Sequence, residues 1–431
     1  MSRPQAARGT EDLFPERIPA HEHVFAAFRR TVEAAAFREI RTPMLEDTSL
    51  FVRSLGEVTD VVEKEMFTCT RGDTSVTFRP EGTAPVVRAY LQANLDKTRP
   101  YQKLYYVGPM FRFERPQAGR QRQFYQCGVE ALGSQSPLLD AEVAALAVRS
   151  FEAMGLRNFA LHVNSIGDRG DRETFREVLR AYMEPHLPDR CDDCKARYTR
   201  NVFRMLDCKV KGCQPSNQSA PRFIDHLGAD SRDRFHTTLR ALEAIGVKAE
   251  VDPSIVRGFD YYTHTVYEVQ CSDLGARSAI CGGGRYDTLV PDLGGGEVGA
   301  TGFAIGVTPT LLALEKQAHA AVAPQDSELP VFVAPIGDEE RLAAFRLCDR
   351  LRAAGLVADT DYEQRSLKAQ MRAADKRNVR LVLMLGTEEV AQGRVKVKHM
   401  ASGSEVVLPD DEALPPALRR LLEDRDDGAM R

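Results

Sequence analysis

Apolar residues recur at spacings of three and four near the start of the chain. Val24, Phe25, Phe28, Val32, Ala35 and Ala36 draw one stripe along residues 20 to 40 and predict an amphipathic helix. Ile40 to Met44 then reads as a strand, and because Pro43 has no N–H to give to a ladder, that strand belongs at an edge or an interface. VTFRPEGTAPVVRAYL passes from a strand through a Pro and Gly turn into a helix. KLYYVGPMFRFERP and QFYQCGVEALG are two further strands, joined by the basic loop RPQAGRQR into a hairpin. Such a hairpin belongs to an antiparallel sheet rather than to a parallel one with helical crossovers. Residues from about 170 to 250 are helical in pattern and hold four cysteines, which predicts an inserted module; VYEV and GFAIGV return to the strand pattern. HAAVAPQDSELP, His319 to Pro330, has the composition of a linker. Beyond it VFVAPI, helices around 340–354 and 366–377, and LVLMLG alternate as in a small α/β domain. The expected fold class is α+β: an antiparallel catalytic sheet flanked by helices over 1–325, with its helical insertion, then a C-terminal α/β domain over 330–431.

Length and composition agree with this division. The 431 residues suit two or three domains, and 43% hydrophobic with 28% charged residues is the mixture of a globular protein with a substantial core. No apolar run reaches a membrane span and the N-terminus lacks an apolar signal segment, so the expectation is a cytoplasmic protein with no membrane partner. The nine cysteines are too few and too unevenly spaced for a disulfide scaffold. A net charge of −4 is no global signature of nucleic-acid binding, so any such partner must meet local basic patches.

Two basic patches and one cysteine cluster carry chemistry. Arg112, Arg115, Arg120 and Arg122 crowd one hairpin, and arginine offers planar, permanently charged clamps for phosphate or carboxylate. Lys368, Arg372, Lys376 and Arg380 recur every four residues, which places four cations on one helical face; their mutual repulsion is relieved by an anionic partner or by solvent. Cys191, Cys194, Cys208 and Cys213 form C-x2-C-x13-C-x4-C, a spacing that fits either a structural zinc or packed thiols. Gly294, Gly296 and Gly299 satisfy G-x-G-x-x-G, but the run leads into a strand rather than a helix, so turn and close-packing glycines are the better reading.

RGTEDLFP (8–15), GEVTDVVEKEMF (56–67), RPEGTAPVVR (79–88), GPMFRFERPQAGRQRQFYQCGVE (108–130), RGFDYY (257–262) and GGGRYD (282–287) together resemble the histidyl-tRNA synthetases, a class II aminoacyl-tRNA synthetase family, over nearly the whole chain. The resemblance implies activation of L-histidine with ATP and Mg2+, transfer to histidine tRNA, a homodimer built on the region of FREIRTPMLED, and an anticodon-binding C-terminal domain. It makes Arg112 and Arg257 the catalytic residues on either side of the α-phosphate, and adds Arg120 and Phe124 to the ATP site. Glu81, Gly82, Thr83, Arg112, Gln126, Glu130, Arg257, Tyr261, Tyr262 and Tyr286 become the histidine site. Arg115 and Gln117 on the hairpin, with Lys368, Arg372, Lys376 and Arg380, become tRNA contacts. The chain departs from the family pattern after GFAIGV: Pro309 occupies the position of an arginine that covers adenine, and Thr308 that of an acidic residue. Locally, Thr308 is expected as a helix N-cap and Pro309 as the first helical residue. The competing reading is a non-catalytic paralogue that binds histidine or tRNA and regulates another enzyme.

Overall fold

The structure is a computed structural model that describes residues 3–56, 59, 61–117, 119–206, 208, 210–255, 261–277, 279–317 and 329–423. They fall into two units, Met1–Ala323 and Pro324–Arg431. Residues 319–328 of the expected linker, and Arg257 with its neighbours in RGFDYY, lie outside the described residues.

The first unit holds strands β1 (Arg38–Glu39), β2 (Leu45–Asp47), β3 (Phe67–Arg71), β4 (Thr74–Phe78), β5 (Gln102–Phe111), β6 (Gln123–Leu132), β7 (Phe159–Ser165), β8 (Ala249–Val251), β9 (Thr263–Cys271), β10 (Ala279–Arg285) and β11 (Ala300–Gly306). Among the described residues eight of them form one sheet in the order β1-β5-β6-β11-β10-β9-β7-β8, and β2-β4-β3 form a small second sheet. The centre is antiparallel as expected, but β1 on β5 and β7 on β8 pair in parallel, so the sheet is mixed. A parallel partner needs a long crossover, and the inserted module with helix Ala229–Ala244 supplies it between β7 and β8.

The strand expected over Ile40–Met44 is absent among the described residues. The chain leaves the large sheet after Glu39 and joins the small one at Leu45. Pro43 sits in this crossing, where it need not donate, and buried Arg79 pins the crossing through hydrogen bonds to the Thr42 carbonyl and hydroxyl and to the Pro109 carbonyl. The stripe of the first helix, Ile18–Ala34, buries Val24, Phe25, Phe28 and Val32 against one face of the sheet, together with helix Pro137–Ala153. Tyr105 joins this core while Tyr106 joins the core on the opposite face, as the two-residue period of a strand requires.

The module has a core of its own, with Phe175, Met183, Cys194, Met205, Cys213 and Phe223. It starts at helix Arg169–Met183, whose Asp168 and Asp171 close a capping box. Helix Ala229–Ala244 instead sends Phe235 and Leu242 into the core of the large sheet.

In the second unit β12 (Val331–Pro335), β13 (Ala358–Thr360), β14 (Leu381–Leu385), β15 (Arg394–His399) and β16 (Glu405–Pro409) take the order β13-β12-β14-β15-β16. β12 and β14 are buried at every residue, because helices Glu340–Ala353 and Leu414–Glu423 cover one face and helix Leu367–Lys376 the other.

Candidate active site

The central ladder explains why a cavity opens on the Tyr106 face. Phe124, Gln126, Gly128 and Glu130 share that face of β6, and on the β11 side the residues opposite the last three are small: Gly306 beside Gln126, Ala304 beside Gly128, Gly302 beside Glu130; on the β5 side Gly108 stands beside Gln126 and Tyr106 beside Gly128. A methyl group at Gly302 would lie 2.1 Å from Glu130 Oε2, and one at Gly82 or Gly128 would enter the Tyr106 ring. The space left is a cavity of about 450 Å³, lined on its floor by Glu81, Thr83, Gln126, Glu130 and the three tyrosines Tyr261, Tyr262 and Tyr286. That volume suits a small-molecule substrate.

The floor is a buried hydrogen-bonded network. Thr83 Oγ1 donates to Glu130 Oε1 at 2.7 Å, and the Tyr286 hydroxyl donates to Glu130 Oε2. The Glu81 carboxylate accepts from the amides of Thr83 (2.7 Å) and Ala84 (2.9 Å), capping helix Thr83–Gln92. Burial pushes the Glu130 carboxyl up to about 8, against the hydrogen bonds from Tyr286 and Thr83 that favour its charged form, and the nearby Glu81 adds to the rise. Burial likewise raises the Glu81 carboxyl, and it holds the phenols of Tyr106, Tyr261 and Tyr286 well above their ordinary value, so that they remain O–H donors. Tyr261 lies 4.7 Å from Tyr262 and 5.7 Å from Tyr286, centroid to centroid. Gln126 Oε1 is buried with no hydrogen-bond partner among the described residues, a cost that a ligand donor would remove.

The mouth is cationic. Arg112 Nε donates to the Pro80 carbonyl at 2.9 Å, which fixes its guanidinium beside RPEGT, and Glu114 lies 2.7 Å from Arg120 and 3.8 Å from Arg112. The N-terminal RGT segment braces the hairpin, since Gly9 O accepts from the amides of Arg122 and Gln123. Gln117 and Arg120 exchange backbone bonds and close the loop, leaving Arg115 and Gln117 exposed. Phe124 is not among the cavity's lining residues; it lies 5.4 Å beneath the Arg112 guanidinium.

Two local expectations are corrected. The helix after β11 begins at Val307 with Gly306 as its N-cap, so Thr308 is not the cap and Pro309 is not the first helical residue. Pro309 stands third, still within the first turn, where a missing N–H breaks no helical bond, and it lines the cavity. The four-cation stripe also ends early: Lys368, Arg372 and Lys376 are exposed on helix Leu367–Lys376, but Arg380 lies beyond it and donates to the Leu422 carbonyl. Gly294 and Gly299 do serve a turn and a close approach: Gly294 has φ +94°, and a methyl at Gly299 would lie 2.5 Å from Ser134 O.

Tyr106, Glu114 and Glu268 line the cavity without having been singled out from the sequence. Tyr106 had a signal, the parity that places it opposite Gly128 and on the face of Met110 and Arg112. Away from the cavity, Arg285 of GGGRYD is fully buried and bonded to Asp140, Asp287 and the Ser134 and Ser136 carbonyls. In the module, the sulfurs of Cys191, Cys194, Cys208 and Cys213 lie within 4.8 Å of one another.

A buried polar floor under an arginine-rich hairpin, on a largely antiparallel sheet with a separate α/β unit, defines a class II aminoacyl-tRNA synthetase. The family model for histidyl-tRNA synthetase matches residues 9–309, and that for the anticodon-binding domain matches 330–418. The chain is 46% identical over 409 residues to the histidine–tRNA ligase of Moorella thermoacetica, covering 95% of this chain and 96% of that one. It is 44% identical over 399 residues to that of Desulforamulus reducens, covering 92% and 95%. The apo histidyl-tRNA synthetase of Staphylococcus aureus superimposes with a TM-score of 0.80 at 34% identity, over 97% of this chain and 100% of that one. The chain belongs to the histidyl-tRNA synthetase family.

Proposed function

We propose that the cavity activates L-histidine with ATP and that the enzyme then transfers histidine to the 3′ end of histidine tRNA. The observation that carries this reading is the juxtaposition in one cavity of the Glu130–Tyr286–Thr83 network with the Arg112–Glu114–Arg120 cluster. The imidazole lies on Glu130 and Tyr262, where a competitor lacking its nitrogens would leave buried polar groups unpaired. Glu81, Thr83 and Gln126 receive the α-ammonium, with Gly82 giving Tyr106 its room and Tyr261 and Tyr286 closing the pocket. Arg112 and Arg257 hold the reacting carboxylate and α-phosphate; Arg120 and Phe124 extend the ATP site.

The substrate carboxylate oxygen attacks the α-phosphorus and pyrophosphate leaves, so no protein base is needed. Positioning and the stabilisation of charge on the five-coordinate phosphorus carry the step. In the second step the terminal ribose hydroxyl attacks the activated carbonyl and AMP leaves. Glu114 and Glu268 line the cavity as hard oxygen donors suited to the Mg2+ that accompanies ATP, which would supply further charge neutralisation.

Arg115 and Gln117, exposed on the hairpin loop, meet the acceptor end of the tRNA, while Lys368, Arg372 and Lys376 meet phosphates through the second unit. The domain limits are 1–325 and 330–431. Exposed Met44 and Leu45 in the first-motif region support a homodimer, and no described helix is long and apolar enough to cross a membrane, in keeping with a cytoplasmic enzyme. The cysteine cluster is a structural zinc site: Cys191 and Cys208 sulfurs lie 3.7 Å apart, close to the edge of about 3.8 Å that four Zn–S bonds of ~2.3 Å give a tetrahedron. Metal analysis of protein purified without chelator should find one zinc per chain; none would remove this assignment.

The test of the main reading is exchange of labelled pyrophosphate into ATP, which should require histidine and no other amino acid. Histidine binding without exchange would assign the chain to the regulatory paralogues instead.

A further inference from the structure

ATP brings a triphosphate into a cavity whose described lining carries five carboxyl groups, Glu65, Glu81, Glu114, Glu130 and Glu268. Against them stand the guanidinium groups of Arg112, Arg120 and Arg204. The first two come from the hairpin and lie beside Glu114. The wall formed by Gly306 and Pro309 offers no charge at all. Arg204 alone among the described lining cations comes from a different element, the 3-10 turn Val202–Met205 of the inserted module.

That turn is built to hold a side chain in place. Val202, Phe203 and Met205 around Arg204 are buried in the module core, and Arg197 donates to the Arg204 carbonyl. Asn217 Nδ2 donates to the carbonyls of Met205 (2.9 Å) and Leu206 (3.1 Å), and the turn lies in the chain between Cys194 and Cys208. A long side chain on a fixed turn loses less freedom when it meets a phosphate than one on a loop.

We infer that Arg204 is a substrate-binding residue of the activation step: it reaches the ATP phosphates from the module side and supplies the positive charge that Pro309 does not. The inference rests on the activation reading above. Arginine suits the role because its charge persists and its fork matches phosphate oxygens in pairs.

Pyrophosphate exchange at varied ATP and histidine tests it in the full-length protein, with thermal unfolding as a check on folding. Arg204→Ala should raise the KM for ATP at least tenfold and leave the KM for histidine within twofold. Arg204→Lys should recover part of the loss, and Pro309→Arg added to Arg204→Ala should recover it by another route. An ATP KM within twofold of the parent in Arg204→Ala, or equal losses for both substrates, overturns the inference. So does normal exchange with slowed transfer to tRNA, which would mark Arg204 as a residue that meets the acceptor end. Arg112→Ala separates the two claims: if it too leaves exchange intact, the activation reading itself fails, whereas loss there with a silent Arg204→Ala removes only the present inference.

Discussion

Glu130 shows at the scale of one residue how burial and chemistry interlock. In the folded protein its carboxyl titrates at about 8 against the usual 4.5, so between those values the native state keeps a proton that the unfolded chain has released. Bound protons then favour the native state as pH falls, and stability should decline as pH rises from about 4.5 to about 8. Denaturant titrations across this window should show that slope in the parent and lose it in Glu130→Gln. On the proposed placement of the imidazole, the same variant replaces the carboxyl partner by an amide and should weaken histidine binding by roughly 10- to 100-fold, as for a buried hydrogen bond left unmade at ~1–3 kcal/mol. Gly302→Ala approaches the same carboxyl from the other side, with a methyl 2.1 Å from Oε2. It should cost about 1–3 kcal/mol of stability by overpacking and reduce histidine affinity, read by denaturation and calorimetry. Glu81, Thr83, Gln126, Glu130 and Tyr286, which face this cavity, were legible because their motifs are long, whereas Glu65, Arg204 and Glu268 were not singled out. Tyr106 was not, since two adjacent tyrosines look alike until the strand's parity assigns one to each core.

At the scale of elements, the hairpin, the helix after RPEGT and the alternation of the second unit follow from period and turn chemistry. What sequence could not show is where an element leaves one sheet for another. Pro43 marks a place without a donor, but only pairing across the fold decides that the chain crosses there to the small sheet. Partner choice also hides the role of GGGRYD, whose arginine is fully buried at the end of β10 and tied to Asp140 in helix Pro137–Ala153. Removing one member of such a pair strands the other charge, so Arg285→Leu should destabilise the protein by about 3–5 kcal/mol. The double variant with Asp140→Leu should lose clearly less than the sum of the two single changes, a coupling that urea denaturation reads directly. The cysteine spacing fitted either a structural zinc or packed thiols, and the fold adds that the four sulfurs converge inside a core that is otherwise small. On the proposed zinc reading, Cys208→Ser should lose the metal and lower the thermal midpoint, because binding energy in such a site is folding energy.

For the whole molecule, the net charge of −4 says nothing about where an RNA could bind, and the distribution of charge is what matters. Helix Leu367–Lys376 buries Gln370 and Ala374 against its sheet and turns Lys368, Arg372 and Lys376 outward, so the helical period that placed these cations on one face also separates them from the core. Periodicity failed for Arg380 because the helix stops at Lys376 and Asn378 takes a left-handed conformation with φ +52°, which redirects the chain into β14. Three exposed cations on one helix of the second unit are a suitable place to separate RNA binding from chemistry. Replacing Lys368, Arg372 and Lys376 together by Ala should weaken binding of histidine tRNA and lower the salt dependence of its affinity by about 2 to 3 in the slope of log K against log salt, one counterion for each phosphate no longer neutralised. Histidine-dependent pyrophosphate exchange should remain at the parent's level, because activation uses no tRNA. Affinity and salt slope both unchanged would place the phosphate-binding cations elsewhere on the unit, and a matching loss of exchange would show that the helix serves stability rather than RNA.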